Sequence, residues 1–326
     1  MTNSKKSLTL MCVQPCIPYY AWQIEVMLHN FQEVGIHDKY DIHLLFAYNI
    51  KERNWKDNVA VIKKVEQKYA GIARFFYYQD TREYPISYIS SIRPNLLKQH
   101  FSAEYLNIAE AVFYHDCDIV FTKFPDFFDG LLEDKNWYVS DTRSYIGHKY
   151  IASKGDDVLS LMCRIVGIST QMVEEREEQS GGAQYLIKGV DYHFFDKMEK
   201  DCEALYKDVN ILNSQKKTLD PNHHELQIWC ADMWAILWGA WLRGYDTKII
   251  PEMDFCWATD RLESWDKKYI FHNAGVTDSS KNNLFYKGDF RVNYPYNHEC
   301  ETYWQDFASY KYFQIIKSIG QKSCLL

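Results

Sequence analysis

Two aspartates separated by one residue are the side chains of this chain best suited to chemistry. Asp116 and Asp118 interrupt an apolar run, residues 111–121, whose composition is that of a buried strand. Burying both charges without a partner would be costly. Two carboxylates at the exit of a strand could instead bind a divalent cation that bridges to a diphosphate. A solvated turn would use the same tripeptide, so the interpretation depends on the motifs that accompany it.

Two further motifs follow the aspartates. Gly181 and Gly182 precede Gln184, and paired glycines allow the backbone to approach a ligand closely, although a simple tight turn would use them too. Asp232 then lies in an apolar stretch that contains several tryptophans. A carboxylate in such surroundings requires a partner, for example Arg243 or a backbone amide, or it has a function. Both motifs therefore keep a structural and a functional interpretation.

The last motif is a histidine that ends a short apolar strand. Gly275 follows His272 after two residues. A lone histidine is commonly structural, but an imidazole at a strand end is well suited to be a third cation ligand beside an upstream Asp-x-Asp. Taken in order, these motifs resemble the nucleotide-sugar glycosyltransferases of the GT-A fold, and most of all their retaining, glycogenin- and galactosyltransferase-like branch. The resemblance covers about residues 8–290 and lies in motif order.

The resemblance implies a metal centre and a place for the nucleotide. By this likeness, Asp116, Asp118 and His272 bind Mn²⁺ or Mg²⁺, and the aspartates also approach the diphosphate. Val13 and Gln14, at the end of the first predicted strand, fall where GT-A enzymes hold the nucleobase. The donor implied by the family is a UDP-sugar.

Several basic residues are candidates for contacts with the donor. The family pattern continues from His-x-x-Gly to a Lys-Pro-Trp, which is absent here, so either Lys281 or Lys287 would take the role of the diphosphate-binding lysine. Gly275 matches the glycine of that pattern. Arg93 and Lys98 precede the aspartates at helical spacing and could donate to phosphate or sugar hydroxyl groups, or simply be surface cations.

The residues that act on the sugar are harder to identify. Asp232 is the first carboxylate to consider, with Asp141 and Glu225 behind it, and Gln184 is a polar candidate near the anomeric carbon. A retaining enzyme can use the leaving phosphate to assist the incoming hydroxyl, whereas an inverting enzyme requires a carboxylate base. We expect retention by resemblance. An inverting GT-A enzyme and a non-catalytic nucleotide-sugar-binding relative remain the alternatives.

A sheet and its connecting helices must position these motifs. The hydrophobic pattern predicts alternating elements in the first part of the chain: strand 8–13, helix 19–34, strand 41–47, helix 54–69, strand 73–78 and a helix from about 92. This order predicts a parallel sheet with right-handed crossovers, in which ligands bind beyond the carboxyl ends of the strands. Later elements are predicted at 137–140, 225–243, 248–251, 268–272 and about 301–319.

We therefore predict an α/β fold with a Rossmann-like, mostly parallel central sheet flanked by helices. The resemblance makes residues 1–326 a single GT-A domain, with a nucleotide-sugar half at about 1–125 and an acceptor half at about 126–326. A phosphotransferase or hydrolase would also use Asp-x-Asp, but it would need a glycine-rich loop with Lys-Ser or Lys-Thr that the sequence lacks.

Composition limits the possible partners and compartments. The net charge is −7 and the basic residues form no block, which argues against an extended nucleic-acid-binding surface. Nine cysteines without a CxxC pair favour reduced thiols in the cytoplasm, and no apolar segment is long enough to span a bilayer. The acceptor is not encoded in a recognisable motif, so a saccharide, a protein, a lipid and a modified DNA base all remain open.

Overall fold

The computed structural model describes residues 6–103, 108–281, 284–299 and 305–323 of the chain. Its strands are β1 (Leu8–Pro15), β2 (Asp41–Tyr48), β3 (Arg74–Gln79), β4 (Ala111–Tyr114), β5 (Ile119–Phe121), β6 (Trp137–Asp141), β7 (Gly181–Lys188), β8 (Thr247–Ile249), β9 (Phe255–Trp257) and β10 (Ile270–His272). Its helices are α1 (Pro18–Glu33), α2 (Ile36–Lys39), α3 (Trp55–Lys68), α4 (Ile92–Phe101), α5 (Phe128–Leu131), α6 (Arg143–Ile146), α7 (His148–Ala152), α8 (Asp156–Val166), α9 (Thr170–Glu175), α10 (Tyr192–Leu219), α11 (Ala231–Leu242), α12 (Glu263–Lys267) and α13 (Ser309–Ser323).

The main sheet has seven strands in the order β3-β2-β1-β4-β7-β6-β8. The pairs β1–β2, β2–β3 and β6–β8 are parallel, and β6–β7 is antiparallel. Nearly every residue of β1 is buried, as expected for an inner strand of a parallel sheet that is covered on both faces. The predicted α/β class, with a mostly parallel sheet flanked by helices, is confirmed.

The chain divides into two compact units, and each is built from separate segments. The first comprises Met1–Gln79, Tyr114–Glu133 and Pro251–Leu326, and the second comprises Asp80–Phe113 and Asp134–Ile250. The prediction of one domain with a nucleotide-sugar half ending near residue 125 stays a prediction.

In the first unit, helices α1 and α13 share a hydrophobic core with the short strands. α1 begins with Pro18, which suits the first turn of a helix because proline lacks the N–H that this position leaves unbonded. Trp22 of α1 packs in one buried cluster with Phe271 of β10 and with Tyr312 and Ile316 of α13. This core fixes the end of β10 against α13.

A second, three-stranded sheet in the same unit changes the interpretation of the aspartate motif. Its order is β5-β10-β9, with β10 antiparallel to β5 and parallel to β9. The apolar run 111–121, expected as one strand with the aspartates at its exit, is two strands that belong to different sheets. Asp116 and Asp118 lie in the turn between them, because the chain changes sheet there.

The second unit is organised around the longest helix. α10 packs against α4, α8 and α11, and the Asp191 side chain caps its start by accepting a 2.8 Å hydrogen bond from the Phe194 amide. α11 is buried on all sides except at its last residue, which is the pattern of a helix inside a core. The helix predicted at 225–243 is thus shorter, because a 3₁₀ turn at Ile228–Cys230 precedes it.

The sequence also predicted that no segment spans a membrane and that the cysteines are reduced thiols. None of the helices in the described parts of the chain combines the length and the apolar character needed to cross a membrane. The seven cysteines within those parts are unbonded and buried.

Candidate metal centre

Three residues selected from the sequence come together in the first unit. The Nε2 atom of His272 is 3.3 Å from Oδ1 of Asp118 and 3.8 Å from Oδ2 of Asp116. One ligand atom from each of the three residues lies within 4.8 Å of the others. Two carboxylate oxygens and one imidazole nitrogen at this separation are a suitable set of ligands for a divalent cation.

The backbone around the aspartates fixes their positions. The amide of His115 donates to the carbonyl of Met11 in β1 at 3.0 Å, which anchors the turn at its start. At its end, the amide of Asn273 donates to the carbonyl of Asp118 at 2.9 Å. His272, at the end of β10, therefore lies opposite the turn that contains Asp116 and Asp118.

A glycine allows the chain to leave β10 at this point. Gly275 has a φ of +88°, a left-handed conformation that costs little only for glycine. A Cβ atom there would also lie 3.2 Å from Cε3 of Trp257. The glycine of the His-x-x-Gly pattern thus has a structural reason, and its contact with substrate stays a prediction.

Asp118 is the central charge of the site. Its side chain is 5% exposed, and it contacts both His272 and the ammonium group of Lys287. Burial alone would raise the pKa of Asp118, but Lys287 and His272 outweigh it and hold that pKa well below its usual range. Asp118 is therefore ionised, as a cation ligand must be.

Asp116 differs from Asp118 in its surroundings. Its side chain is 26% exposed, and its distance to His272 is 3.8 Å. Of the two aspartates, Asp116 is therefore the more open to a ligand arriving from solvent.

The structure distinguishes the two candidate lysines. The ammonium of Lys287 contacts Oδ2 of Asp118. Burial lowers the pKa of Lys287, but Asp118 acts in the opposite direction and the net pKa is raised. Lys281 instead lies 3.2 Å from Asp278 and 3.3 Å from Asp289. Of the two lysines, Lys287 is thus the one that contacts the group formed by Asp116, Asp118 and His272.

Tyr19 is a neighbour of this centre that the sequence did not indicate. Burial raises the pKa of Tyr19, Lys287 acts to lower it and Asp118 acts to raise it. The Trp22 ring packs edge-on against the Tyr19 ring, with centroids 6.4 Å apart. Tyrosines are numerous in this chain, and nothing in the local pattern sets Tyr19 apart from the others.

Val13 and Gln14 lie at the end of β1, as predicted. Their exposures are 1% and 5%, and the Gln14 amide nitrogen is 3.9 Å from Sγ of Cys12. Contact of these two residues with a nucleobase stays a prediction.

In the second unit, Asp232 is held by an arginine and a tyrosine. Oδ2 of Asp232 accepts a 2.8 Å hydrogen bond from Arg93, and Oδ1 accepts a 2.5 Å hydrogen bond from the hydroxyl of Tyr88. The same hydroxyl lies 2.7 Å from the carbonyl of Trp229. The Asp232 side chain is 5% exposed, and that of Arg93 is 26% exposed. The ion-pair partner is Arg93, whereas Arg243 pairs with Asp191.

Lys98 is also engaged in ion pairs in the second unit. Its ammonium lies 2.5 Å from Oε2 of Glu199 and 3.4 Å from Oδ1 of Asp196, both on α10. These contacts join α4 to α10. A contact of Lys98 with phosphate or sugar stays a prediction.

The Gly-Gly-Ala-Gln motif forms the start of β7. A Cβ atom on Gly182 would lie 2.5 Å from the Tyr185 hydroxyl and 2.7 Å from Cε of Met233, so packing against protein atoms explains this glycine. Gly181 pairs with Asp141 beside a β-bulge. Oε1 of the buried Gln184 accepts a 2.7 Å hydrogen bond from the Ser140 hydroxyl. Substrate contacts of these residues stay predictions.

The chain was compared with protein-family models, curated proteins and solved structures. No protein-family model and no curated protein matches it. The solved structures to which it is similar include two glycosyltransferases. The galactosyltransferase LgtC, in complex with donor and acceptor sugar analogues, aligns at 13% identity over 94% of this chain and 95% of that chain, with a TM-score of 0.44. An active-site mutant of LgtC gives the same values. The mannosyltransferase Ktr4p from S. cerevisiae aligns at 11% identity over 62% of each chain, with a TM-score of 0.32.

Proposed function

We propose that the chain is a glycosyltransferase that binds Mn²⁺ or Mg²⁺ and moves a sugar from a UDP-sugar to a hydroxyl group of an acceptor, with retention of anomeric configuration. The observation that carries the proposal is the group formed by Asp116, Asp118 and His272, with the Lys287 ammonium on Asp118. Two carboxylates, an imidazole and an ammonium provide ligands for a divalent cation and a positive charge for a diphosphate.

The proposed chemistry assigns a role to each of these groups. When bound, the cation supplies positive charge that stabilises the departing nucleoside diphosphate. Asp116, Asp118 and His272 hold it, and Lys287 donates to the diphosphate. Lys287 is preferred to Lys281 because Lys281 is engaged with two exposed aspartates outside the centre. Loss of one such electrostatic contact costs about 10²–10³-fold in rate.

Retention is favoured by the surroundings of Asp232. An inverting enzyme needs a carboxylate base that the acceptor hydroxyl can reach. The Asp232 side chain is only 5% exposed, and its two oxygens are held by hydrogen bonds from Arg93 and Tyr88. We propose that Asp232 acts on the sugar through Arg93, and that Gln184 supports the sugar from the first half of β7.

The experiment that tests the proposal is a screen of nucleotide sugars. The purified protein, with Mn²⁺ in excess, should slowly release UDP from at least one UDP-sugar, and EDTA should stop the release until Mn²⁺ is restored. A folded protein that hydrolyses none of the UDP-, GDP-, ADP- and CMP-sugars would contradict the enzyme assignment and leave the nucleotide-sugar-binding relative. Acceptor trials with saccharides, proteins, lipids and modified DNA would follow with the sugar donor that is hydrolysed.

Ligand-induced stabilisation tests the donor separately. UDP at 100 times its dissociation constant stabilises the protein that binds it by about 2.7 kcal/mol. We expect UDP to raise the melting temperature in the presence of Mn²⁺ and not in EDTA. A rise in melting temperature with GDP or ADP but none with UDP would change the nucleotide of the proposed donor and leave the proposed sugar transfer in place. The anomeric configuration of the product, read by NMR, decides between retention and inversion.

A further inference from the structure

Trp229, in the second unit, has a surface position that sets it apart from the other tryptophans. It is 57% exposed. Of the nine tryptophans in the described ranges, the other eight are buried or half-buried. Tryptophan is highly buried on average, and it is enriched where proteins bind other molecules. Trp229 is therefore a candidate for contact with a ligand.

The Trp229 ring belongs to a stacked aromatic pair. Its plane makes an angle of 23° with the plane of the Tyr145 ring, and the two centroids are 6.1 Å apart. The indole N–H donates a 3.1 Å hydrogen bond to Oε1 of Gln227. The polar edge of the indole is thus engaged with the protein, and its apolar ring surface is the part that a ligand can contact. We call the stacked rings of Tyr145 and Trp229 the aromatic platform.

Hydrogen bonds fix the backbone under both rings of the platform. The Tyr88 hydroxyl lies 2.7 Å from the carbonyl of Trp229. Tyr145 is in the short helix α6, and the carbonyl of the next residue, Ile146, accepts a 2.9 Å hydrogen bond from the indole of Trp234 in α11. A surface that is fixed before binding loses little conformational entropy when a ligand binds.

The platform is joined to the ion pair that we propose acts on the sugar. Trp229 precedes Asp232 by three positions. The Tyr88 hydroxyl that lies on the Trp229 carbonyl also donates to Oδ1 of Asp232 at 2.5 Å. Asp232 in turn accepts from Arg93, whose side chain is 26% exposed. One hydroxyl therefore connects the exposed ring to the ion pair.

The groups that are hydrogen-bonded around the platform are neutral. Gln227 is exposed, and its backbone amide donates to the Tyr150 hydroxyl at 3.2 Å. The guanidinium of Arg143, in the same short helix as Tyr145, is engaged with two carboxylates. A phosphate group is bound best by a guanidinium that can pair with it. An amide beside an aromatic ring instead matches a ligand that has hydroxyl groups and an apolar face.

We propose that Tyr145 and Trp229 form the acceptor subsite of the glycosyltransferase, and that the acceptor is a saccharide whose ring stacks on the indole while its hydroxyl groups bond to the Gln227 side chain. A pyranose has an apolar C–H face and an edge of hydroxyl groups, which fits a ring surface flanked by an amide. This inference rests on the proposed function and reduces its open acceptor to one class.

The test compares three variants of the full chain with the parent. Trp229→Ala removes the ring, and Trp229→Phe keeps an aromatic surface. Trp55→Ala is the matched control, because Trp55 stacks on Tyr48 in the first unit, with an angle of 26° and centroids 5.6 Å apart. Thermal melting controls for folding. We expect Trp229→Ala to melt close to the parent, because a ring that is mostly exposed contributes little to the core.

Binding is measured by isothermal titration calorimetry without nucleotide or cation, so that the result does not depend on sugar transfer. The probes are maltose, cellobiose, lactose, chitobiose and a single-stranded thymidine oligonucleotide. We expect the parent to bind at least one disaccharide and Trp229→Ala to bind it about tenfold more weakly, since truncation of a central tryptophan removes much of the binding energy. Trp229→Phe should keep most of the affinity, and Trp55→Ala should equal the parent.

Transfer to the disaccharide that binds provides the second measurement. Release of UDP from the hydrolysed UDP-sugar is followed with increasing disaccharide. Trp229→Ala should hydrolyse the donor at the parental rate without disaccharide, and its KM for the disaccharide should rise about tenfold. A disaccharide that binds through Trp229 but receives no sugar from a donor that the parent hydrolyses overturns the acceptor role.

The outcomes separate this inference from the proposed function. A parent that binds no disaccharide overturns the inference, and so does an equal affinity of the parent and Trp229→Ala. Binding of the oligonucleotide alone, weakened in Trp229→Ala, also overturns it and makes a nucleic-acid base the occupant. All three results leave the proposed sugar transfer in place. A parent that binds a disaccharide through Trp229 but hydrolyses no nucleotide sugar overturns the proposed function and with it the acceptor role, while the saccharide site remains.

Discussion

The two aspartates of the proposed metal centre should respond very differently to the same substitution. From the sequence they are equivalent members of one motif. In the structure Asp118 is buried against the Lys287 ammonium, whereas Asp116 is partly exposed. Asp118→Asn keeps the shape of the side chain and removes its charge. Lys287 then keeps a largely buried ammonium without the carboxylate that it contacts.

The expected cost follows from this burial. Removing one partner of a buried ion pair costs about 3–5 kcal/mol. Lys287 has 29% of its side chain exposed and recovers part of its hydration, so we expect the lower end, about 3 kcal/mol. At about 2 °C per kcal/mol for a large chain, the melting temperature falls by about 6 °C. Asp116→Asn removes a weaker, more exposed interaction and should cost about 0–1 kcal/mol.

The assay is thermal melting of the parent and both variants, first in EDTA and then with Mn²⁺. In EDTA only Asp118→Asn should melt clearly lower. With Mn²⁺ the parent should gain stability, and both variants should lose most of that gain because each lacks a cation ligand. The double variant Asp118→Asn with Lys287→Met should recover part of the loss, since the unpaired ammonium is gone.

Equal melting of the two variants in EDTA would refute this reasoning. It would mean that the contact between Lys287 and Asp118 contributes nothing to the folded state. The same conclusion would follow if the melting temperature of the double variant fell by the sum of the decreases of its two single variants.

Three other predictions concern other parts of the chain. Asp232→Asn should lower turnover per folded molecule more than tenfold, because the variant loses the ion pair that positions Arg93. If the variant melts at a lower temperature but keeps the parental turnover, Asp232 has no role in the active site. Burial raises the pKa of Cys16 to about 12 and that of Cys163 to about 11, so these thiols should react slowly with Ellman's reagent at pH 8, whereas denaturation should expose nine. Ala183 has a φ of 67°, so Ala183→Gly should stabilise the protein by about 1 kcal/mol in urea unfolding; a lower urea midpoint would contradict that.

Local patterns predicted the elements of the first part of the chain well. The strand expected at 8–13 is Leu8–Pro15, and the helix expected at 19–34 is Pro18–Glu33. Both have strong signals, because a continuous apolar run stops at a proline and a helical pattern stops at a glycine. Asp116, Asp118 and His272 were identifiable for a related reason, since charged or ligating groups are conspicuous inside apolar segments.

What the sequence could not provide is pairing between distant segments. The run 111–121 has a single apolar composition, and nothing local shows that its second half joins another sheet through β10. The choice between Lys281 and Lys287 depends on which one folds back to Asp118. Tyr19 resembles the many other tyrosines until the fold places it beside that carboxylate.

The pairing of β5 with β10 has a consequence for the nascent chain. His272, the last residue of β10, is 154 positions after Asp118, so at about 5–20 residues per second it is synthesised roughly 8–31 s later. During that interval β5, which pairs with no strand other than β10 in its described sheet, is an apolar segment with unpaired backbone groups. Such segments invite association with other chains. The Asp-Asp-His group is therefore assembled late in synthesis, when β10 becomes available to pair with β5.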